Sequence, residues 1–269
     1  NRWWCAIVTA FYWVVRWVLV WISKWVVYVV CRIVSVILSL ILTGLNILGW
    51  PVKYFWCIGW GDRDLEKLPM RTLAIEVLIV DYDEKTRNPV SEATIDAWIG
   101  HADTILRSRA RIPVKRNGAI RRMQSKALYR IDTSDAGGRT SEYLKGIGLL
   151  MGRNSWRNLT VYVVGQVAGA EGVHLPLYGS IFIEQSGSAE PTSDTTLCHE
   201  LGHALLSVGN TYHSDRNDRL MHTPSRTLAG DGREQASNWP AGLPTLSRNE
   251  RCVMRRSRWI EASWVPFMG

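Results

Sequence analysis

Acidic residues are missing from the first 60 positions of this 269-residue chain: all 24 Asp and Glu follow residue 60. The same stretch holds only five basic residues, Arg2, Arg16, Lys24, Arg32 and Lys53. Cysteine is scarce, at five, which excludes a disulfide-dense scaffold. No internal repeat or low-complexity tract is visible, which excludes collagen-like and solenoid chains. The net charge of +8 divides unevenly, because the last 209 residues carry 27 basic and 24 acidic groups and contribute only +3. A nucleic-acid-binding protein concentrates Lys and Arg on its folded domain. Here the excess lies in a greasy segment, and the basic run 107–122 has no interleaved aromatics and reads as a solvated face. No nucleic-acid partner is expected.

Apolar residues fill the acid-free stretch, including nine of the 14 Trp. Residues 33–52 are 20 positions without a charge. A helix rising about 1.5 Å per residue crosses a hydrocarbon core of about 30 Å in that length, so a membrane span is expected there. Residues 3–30 are apolar but interrupted by Arg16 and Lys24. On a helix, Trp13, Trp17, Trp21 and Trp25 form one slowly winding stripe, with Arg16, Lys24 and Arg32 beside it. Trp prefers the headgroup level and long basic side chains snorkel to it. Three arrangements stay open: a helix lying in the lipid interface, the first span of a hairpin with Arg16 inside it at a cost, or a stripe packed on other membrane-protein subunits. The segment is too long for a cleavable signal peptide and lacks its small-residue cleavage site. With a single span, the excess of basic residues before it places the N-terminal side in the cytoplasm and the remainder in the periplasm or outside the cell; a hairpin reverses the second conclusion.

Gly59, Gly61 and the charged run ending at Pro69 mark a linker over 61–69, and 70–269 reads as an α+β domain. Residues 72–81 predict a central strand, and Ser91 caps a helix to about Arg107 with Ile95, Trp98, Ile99, Ala102 and Ile105 on one face. Residues 112–120 and 126–131 are candidate strands around a turn at Asn117-Gly118. A short helix is expected over 141–151, and strands over 159–167 and 178–184. A Gly-rich loop with Gly169, Gly172 and His174 lies between those strands.

The strongest chemical signal is Cys198-His199-Glu200-Leu201-Gly202-His203. On a helix His199 and His203 stand one turn apart and face one way, so both imidazoles can bind one Zn²⁺. Glu200 then sits beside the metal as a general base for its water. Ser193, Asp194 and Thr195 are cap candidates, and Leu197, Leu201, Ala204, Leu205 and Val208 supply the apolar face of a buried helix. Zinc needs a third protein ligand.

From this point the chain resembles the metzincin clan of zinc metallopeptidases, whose pattern is H-E-x-x-H-x-x-G-x-x-H followed by a Met-turn. His213, Ser214, Asp215 and Leu220-Met221 are similar to the matrixin-type stretch from third His to Met-turn. The pattern breaks where Leu206 replaces the Gly and Gly209 the His, and His213 comes four residues late. Four residues are about one helical turn, so the helix can run on through Val208 and reverse at Gly209-Asn210, with Thr211-Tyr212 returning His213 to the metal. His213 is the expected third ligand, with Asp215, Asp218 and His222 as alternatives; Glu234 or Glu250 instead implies a gluzincin-like arrangement. The resemblance implies a zincin-like catalytic domain with a mixed, twisted sheet and an active-site helix, behind the transmembrane or interfacial helices. It also implies zinc endopeptidase activity and a floor under the metal at Met221. Strand 178–184, through Gly179, Ser180 and Ile181, falls where the family has an antiparallel edge strand for peptide substrate. Residues 246–252 resemble the last helix of bacterial metzincin-like proteins, and Ser247 with Glu250 forms a capping box. Cys5, Cys31 and Cys57 are expected in small apolar roles. Cys198 and Cys252 can pair in an extracytoplasmic domain. The rival expectation is a structural subunit of a membrane complex that carries the same domain as a scaffold.

Overall fold

The computed structural model describes residues 67–132, 158–168, 170–175, 179–185, 192–206, 213–214, 216, 218–221, 243–257 and 259–260, with scattered positions between 15 and 58. The helix expected over 141–151 lies outside them, as does most of 33–52. Among the described residues no helix is long and apolar enough to cross a membrane.

Strand β1, Leu73–Asp81, alternates between two buried faces. Leu73, Ile75, Val77 and Ile79 enter one apolar cluster, while Leu78 and Val80 meet the other. The period of two in its side chains makes that split. Helix α1, Glu92–Ala110, begins where Ser91 accepts the Thr94 N–H, and all five expected apolar positions are buried. It stops at Arg111, whose left-handed backbone (φ 54°) turns its N–H back to the carbonyls of Arg107 and Leu106.

Past α1 the structure departs from the expected pair of strands. Strands β2, Val114–Arg116, and β3, Arg121–Gln124, both run parallel to β1 along the same edge, one after the other. Asn117-Gly118 is therefore a bulge in one edge: the Asn117 N–H still donates to Ile75 O, and Gly118 takes φ 84°. Residues 126–131 are not one strand but a helical turn, α2 (Lys126–Tyr129), capped by Ser125, followed by β4, Arg130–Asp132. The expected strand over 159–167 is likewise divided into β5, Leu159–Val164, and β6, Gln166–Ala168. At Gly165, between them, the Tyr129 ring occupies the place of a side chain. β6 pairs with β4 in a separate two-stranded sheet.

The Gly-rich loop contains strand β7, Gly172–Leu175, and the chain then forms β8, Ser180–Glu184. The main sheet runs β2-β1-β5-β8-β7, with β3 also on β1. β8 is parallel to β5 and antiparallel to β7, so among the described strands β7, not β8, ends the sheet. The expected mixed sheet is thus present and mostly parallel. Helices α3, Thr192–Leu206, and α4, Arg248–Arg255, join α1 on one face of it. Tyr162, Val164 and Phe182 fill the opposite face, with the two aromatic rings stacked at 5.0 Å.

Candidate metal centre

Helix α3 carries the H-E-x-x-H run. Leu197, Leu201, Ala204, Leu205 and Leu206 face the sheet and are buried, which fixes the rotation of the helix and hence where the polar residues point. The helix begins at Thr192, so Ser193, Asp194 and Thr195 belong to its first turn. The Nδ1–H of His199 donates to Leu220 O at 2.8 Å, since a carbonyl can only accept. That leaves the Nε2 lone pair for a ligand bond, the usual supporting arrangement behind a metal-binding histidine. His203 Nε2 lies 3.1 Å from His199 Nε2. His213 joins them: its ring stacks on His199 at 5.6 Å and meets His203 edge-on at 4.9 Å. One ligand atom from each of the three lies within 4.8 Å of the others. Three nitrogens about 2.05 Å from one tetrahedral ion sit roughly 3.4 Å apart, so this set lies near the spacing that a zinc site requires. Three imidazoles also suit zinc better than they suit calcium or magnesium.

Glu200 is 5% exposed. One face of its carboxylate takes the backbone N–H of His174 on β7, and Oε2 has no partner among the described residues. Burial pushes its pKa up to about 8, with the His174 hydrogen bond acting the other way. Gly172 allows β7 to come this close. A Cβ there would lie 2.8 Å from Thr196 Cγ2 and 2.9 Å from Glu200 Cγ. Beside it, Thr196 Oγ1 donates to Glu171 Oε2 at 2.8 Å, fastening the start of β7 to α3. Because Glu184 N–H donates to Glu171 O, alternate residues Val173 and Leu175 turn their backbone to β8, while Gly172 and His174, both buried, turn theirs the other way, where the His174 N–H meets Glu200. Sequence reading missed this strand. The signal was the short Val173-His174-Leu175 run, hidden by the glycines around it.

The turn at Leu220-Met221 is built from below. Met221 is fully buried, and its Sδ occupies the space a side chain at Gly202 would need. Ser214 N–H donates to Met221 O at 2.6 Å, tying the residue after His213 to the turn. Leu220 N–H donates to Thr245 O, Thr245 N–H to Asp218 O, and Arg219 approaches the Glu250 carboxylate at 3.7 Å. Asp218 and Glu250 hold this support together, and neither joins the group formed by His199, His203 and His213. Asp218 is bound by Arg216 and Thr245, and Glu250 forms the expected capping box with Ser247. Asp215, His222 and Glu234 lie outside the described residues, as does 207–212, where the helix was expected to extend and reverse.

No protein-family model matches this sequence, and no curated protein matches it. Among solved structures the chain is similar to mirolysin in complex with compound 9, at 16% identity and TM-score 0.42, over 69% of this chain and 91% of that one. It is also similar to metalloproteinase-II from Bacteroides fragilis, at 17% identity and TM-score 0.37, over 73% of this chain and 56% of that one. A third likeness is to a chain in a chaperone–substrate complex, at 12% identity and TM-score 0.38, over 71% and 35%. Likenesses this remote carry no weight for chemistry, which the chain's own residues must supply.

Two expectations are corrected here. Gly179, Ser180 and Ile181 do not form an edge: Ser180 and Ile181 are fully buried in the sheet interior, and Gly179 (φ 57°) lies under the Trp259 ring. The reason is β7, which covers the side of β8 that was expected to be open. Nor do Cys198 and Cys252 pair. Cys252 is bonded to Cys57, and Cys198 is free and buried. Cys198 sits on the face of α3 packed into the core, where burial pushes its thiol far up and leaves it inert.

Proposed function

We propose that this chain is a membrane-anchored zinc endopeptidase. The observation that carries the reading is the convergence of His199, His203 and His213 beside a buried carboxyl, Glu200. Bound to the three imidazoles, zinc supplies a Lewis acid that acidifies water and polarises a peptide carbonyl. His199 is held for this by Leu220 O, and His213 by the Ser214–Met221 hydrogen bond. Glu200 Oε2 takes a proton from the attacking water and returns it to the leaving amine. Met221 closes the floor.

Anchoring rests on the uncharged stretch 33–52 and on the described residues before it. Those between 15 and 41 are helical, and Trp17, Trp21, Ile33, Ile37 and Ile41 among them are exposed. Apolar helical surface of that kind needs lipid or a partner. The Cys57–Cys252 bond, just beyond the stretch, requires an oxidising compartment, and so favours a domain outside the cytoplasm. The deciding experiment is metal analysis with peptide hydrolysis on the purified wild type and Glu200→Gln. Zinc at one per chain in both, with hydrolysis only in the wild type, is expected. A zinc-free wild type that co-purifies in fixed ratio with a larger complex and cuts no peptide refutes the enzyme and leaves a scaffold.

A further inference from the structure

Cys57 lies only five residues beyond the uncharged stretch, yet its side chain is fully buried in the main core of the domain, bonded to Cys252 on α4. Phe55, Cys57 and Ile58 are all helical. The other end of the expected linker returns to the same helix. The guanidinium of Arg255, itself 2% exposed, donates to Pro69 O at 2.8 Å and to Ala110 O at 2.9 Å. In turn Arg71 Nη1 donates to Arg255 O at 3.1 Å, and the Arg71 N–H to Arg111 O. Cys252 and Arg255 are three apart on α4, one turn of one face. Cys57 and the 69–71 stretch are therefore both fastened to a single turn of helix. α4 in turn supports the metal centre: Met254 Cε lies 3.6 Å from where a Cβ on Gly202 would stand, between the two His of α3. Phe55 and Ile58, beside the clamped cysteine, are 72% and 50% exposed, as suits side chains at a lipid surface.

From this chain of contacts we infer that the disulfide clamps the metal centre at a fixed height above the bilayer, so that the substrates are membrane-proximal segments of membrane-bound polypeptides. The inference rests on the peptidase and anchor proposed above. A domain on a free tether samples many heights, whereas a clamped one meets membrane-held peptides at high effective concentration only where the geometry allows simultaneous engagement.

The test uses the full chain in phosphatidylcholine–phosphatidylglycerol vesicles, with peptides anchored by a transmembrane helix in the same vesicles. Each displays, on helical spacers of increasing length, a cleavage cassette already shown to be cut by the protein in detergent. Wild type is expected to cut within a narrow range of heights and at least about tenfold more slowly outside it. Cys57→Ser/Cys252→Ser is expected to flatten that profile. Inserting ten helix-forming residues between Val52 and Lys53, with the disulfide intact, is expected to move the optimum outward by about 15 Å; this second variant keeps the test decisive if the first folds poorly. A flat wild-type profile, an optimum the insertion leaves in place, or failure of the wild type to float with vesicles overturns the inference. Cleavage of the cassette in detergent shows that the peptidase reading stands when the inference falls. If the wild type cuts no peptide in detergent, the peptidase reading itself falls, and this inference with it.

Discussion

Replacing Gly172 with Ala tests the contact on which the site depends most. Gly172 has ordinary backbone angles, so alanine introduces no strain of its own. Its methyl would stand 2.8 Å from Thr196 Cγ2, 2.9 Å from Glu200 Cγ and 3.1 Å from Ile183 Cδ1. Thr196 is stiff at χ1, and the Glu200 contact falls on the middle of a buried side chain, so neither can swing aside. Overpacking of this kind costs about 1–3 kcal/mol. Against it, losing a glycine from the unfolded chain contributes about 0.4–1 kcal/mol of stability. The overpacking wins, and the net loss is about 1–2 kcal/mol. For a domain of this size that lowers Tm by roughly 2–8 °C. Because Glu200 is one of the atoms displaced, kcat is expected to fall more than stability does, on the order of 100-fold for a shift of about 1 Å. Urea unfolding of the metal-free protein and peptide hydrolysis by the zinc-loaded protein measure the two effects. Thr196→Ser supplies the control, since it deletes the offending methyl and keeps the hydroxyl that donates to Glu171. In a double-mutant cycle it should restore about 1 kcal/mol of stability to Gly172→Ala, while the contact with Glu200 and the loss of activity remain. Equal or greater stability in Gly172→Ala, or strict additivity with Thr196→Ser, refutes the packing of β7 against Glu200.

Glu200→Gln is expected to lower kcat by about 10²–10⁴-fold, with zinc content by mass spectrometry unchanged. His213→Ala should release zinc at chelator concentrations the wild type withstands and abolish hydrolysis; a variant that keeps both would remove His213 from the site. Asp218 is held below its ordinary value, first by its hydrogen bond from Arg216. A lowered carboxylate contributes stability above its unfolded pKa of about 3.9 and loses it as pH falls through the folded value. The protection factors of the Leu220 and Thr245 amides, which remove the intrinsic pH dependence of exchange, should therefore fall on acidification below about pH 4 in the wild type, and show no such step in Asp218→Asn. Loss of the Cys57–Cys252 bond, which links residues 195 apart, should cost about 2–5 kcal/mol, read as a lower urea midpoint under reducing conditions.

Where a residue's role follows from near neighbours in the chain, sequence alone disclosed it. The apolar period of α1, its Ser91 cap, the Ser247–Glu250 capping box and the i, i+4 placement of His199 and His203 are all local geometry, and all appear in the structure. The uncharged run 33–52 is a property of sequence in the same sense. Roles that depend on which distant segment arrives alongside were not legible. His213 was an expectation with rivals until its ring was found against His199 and His203. Strand β7 is too short and too rich in glycine to announce itself, and only its pairing with β8 makes it a strand. Cys252 was expected to pair with Cys198, and nothing local to any cysteine decides its partner. The packing of Cys57 into the core does, because a disulfide forms between the sulfurs that folding brings together.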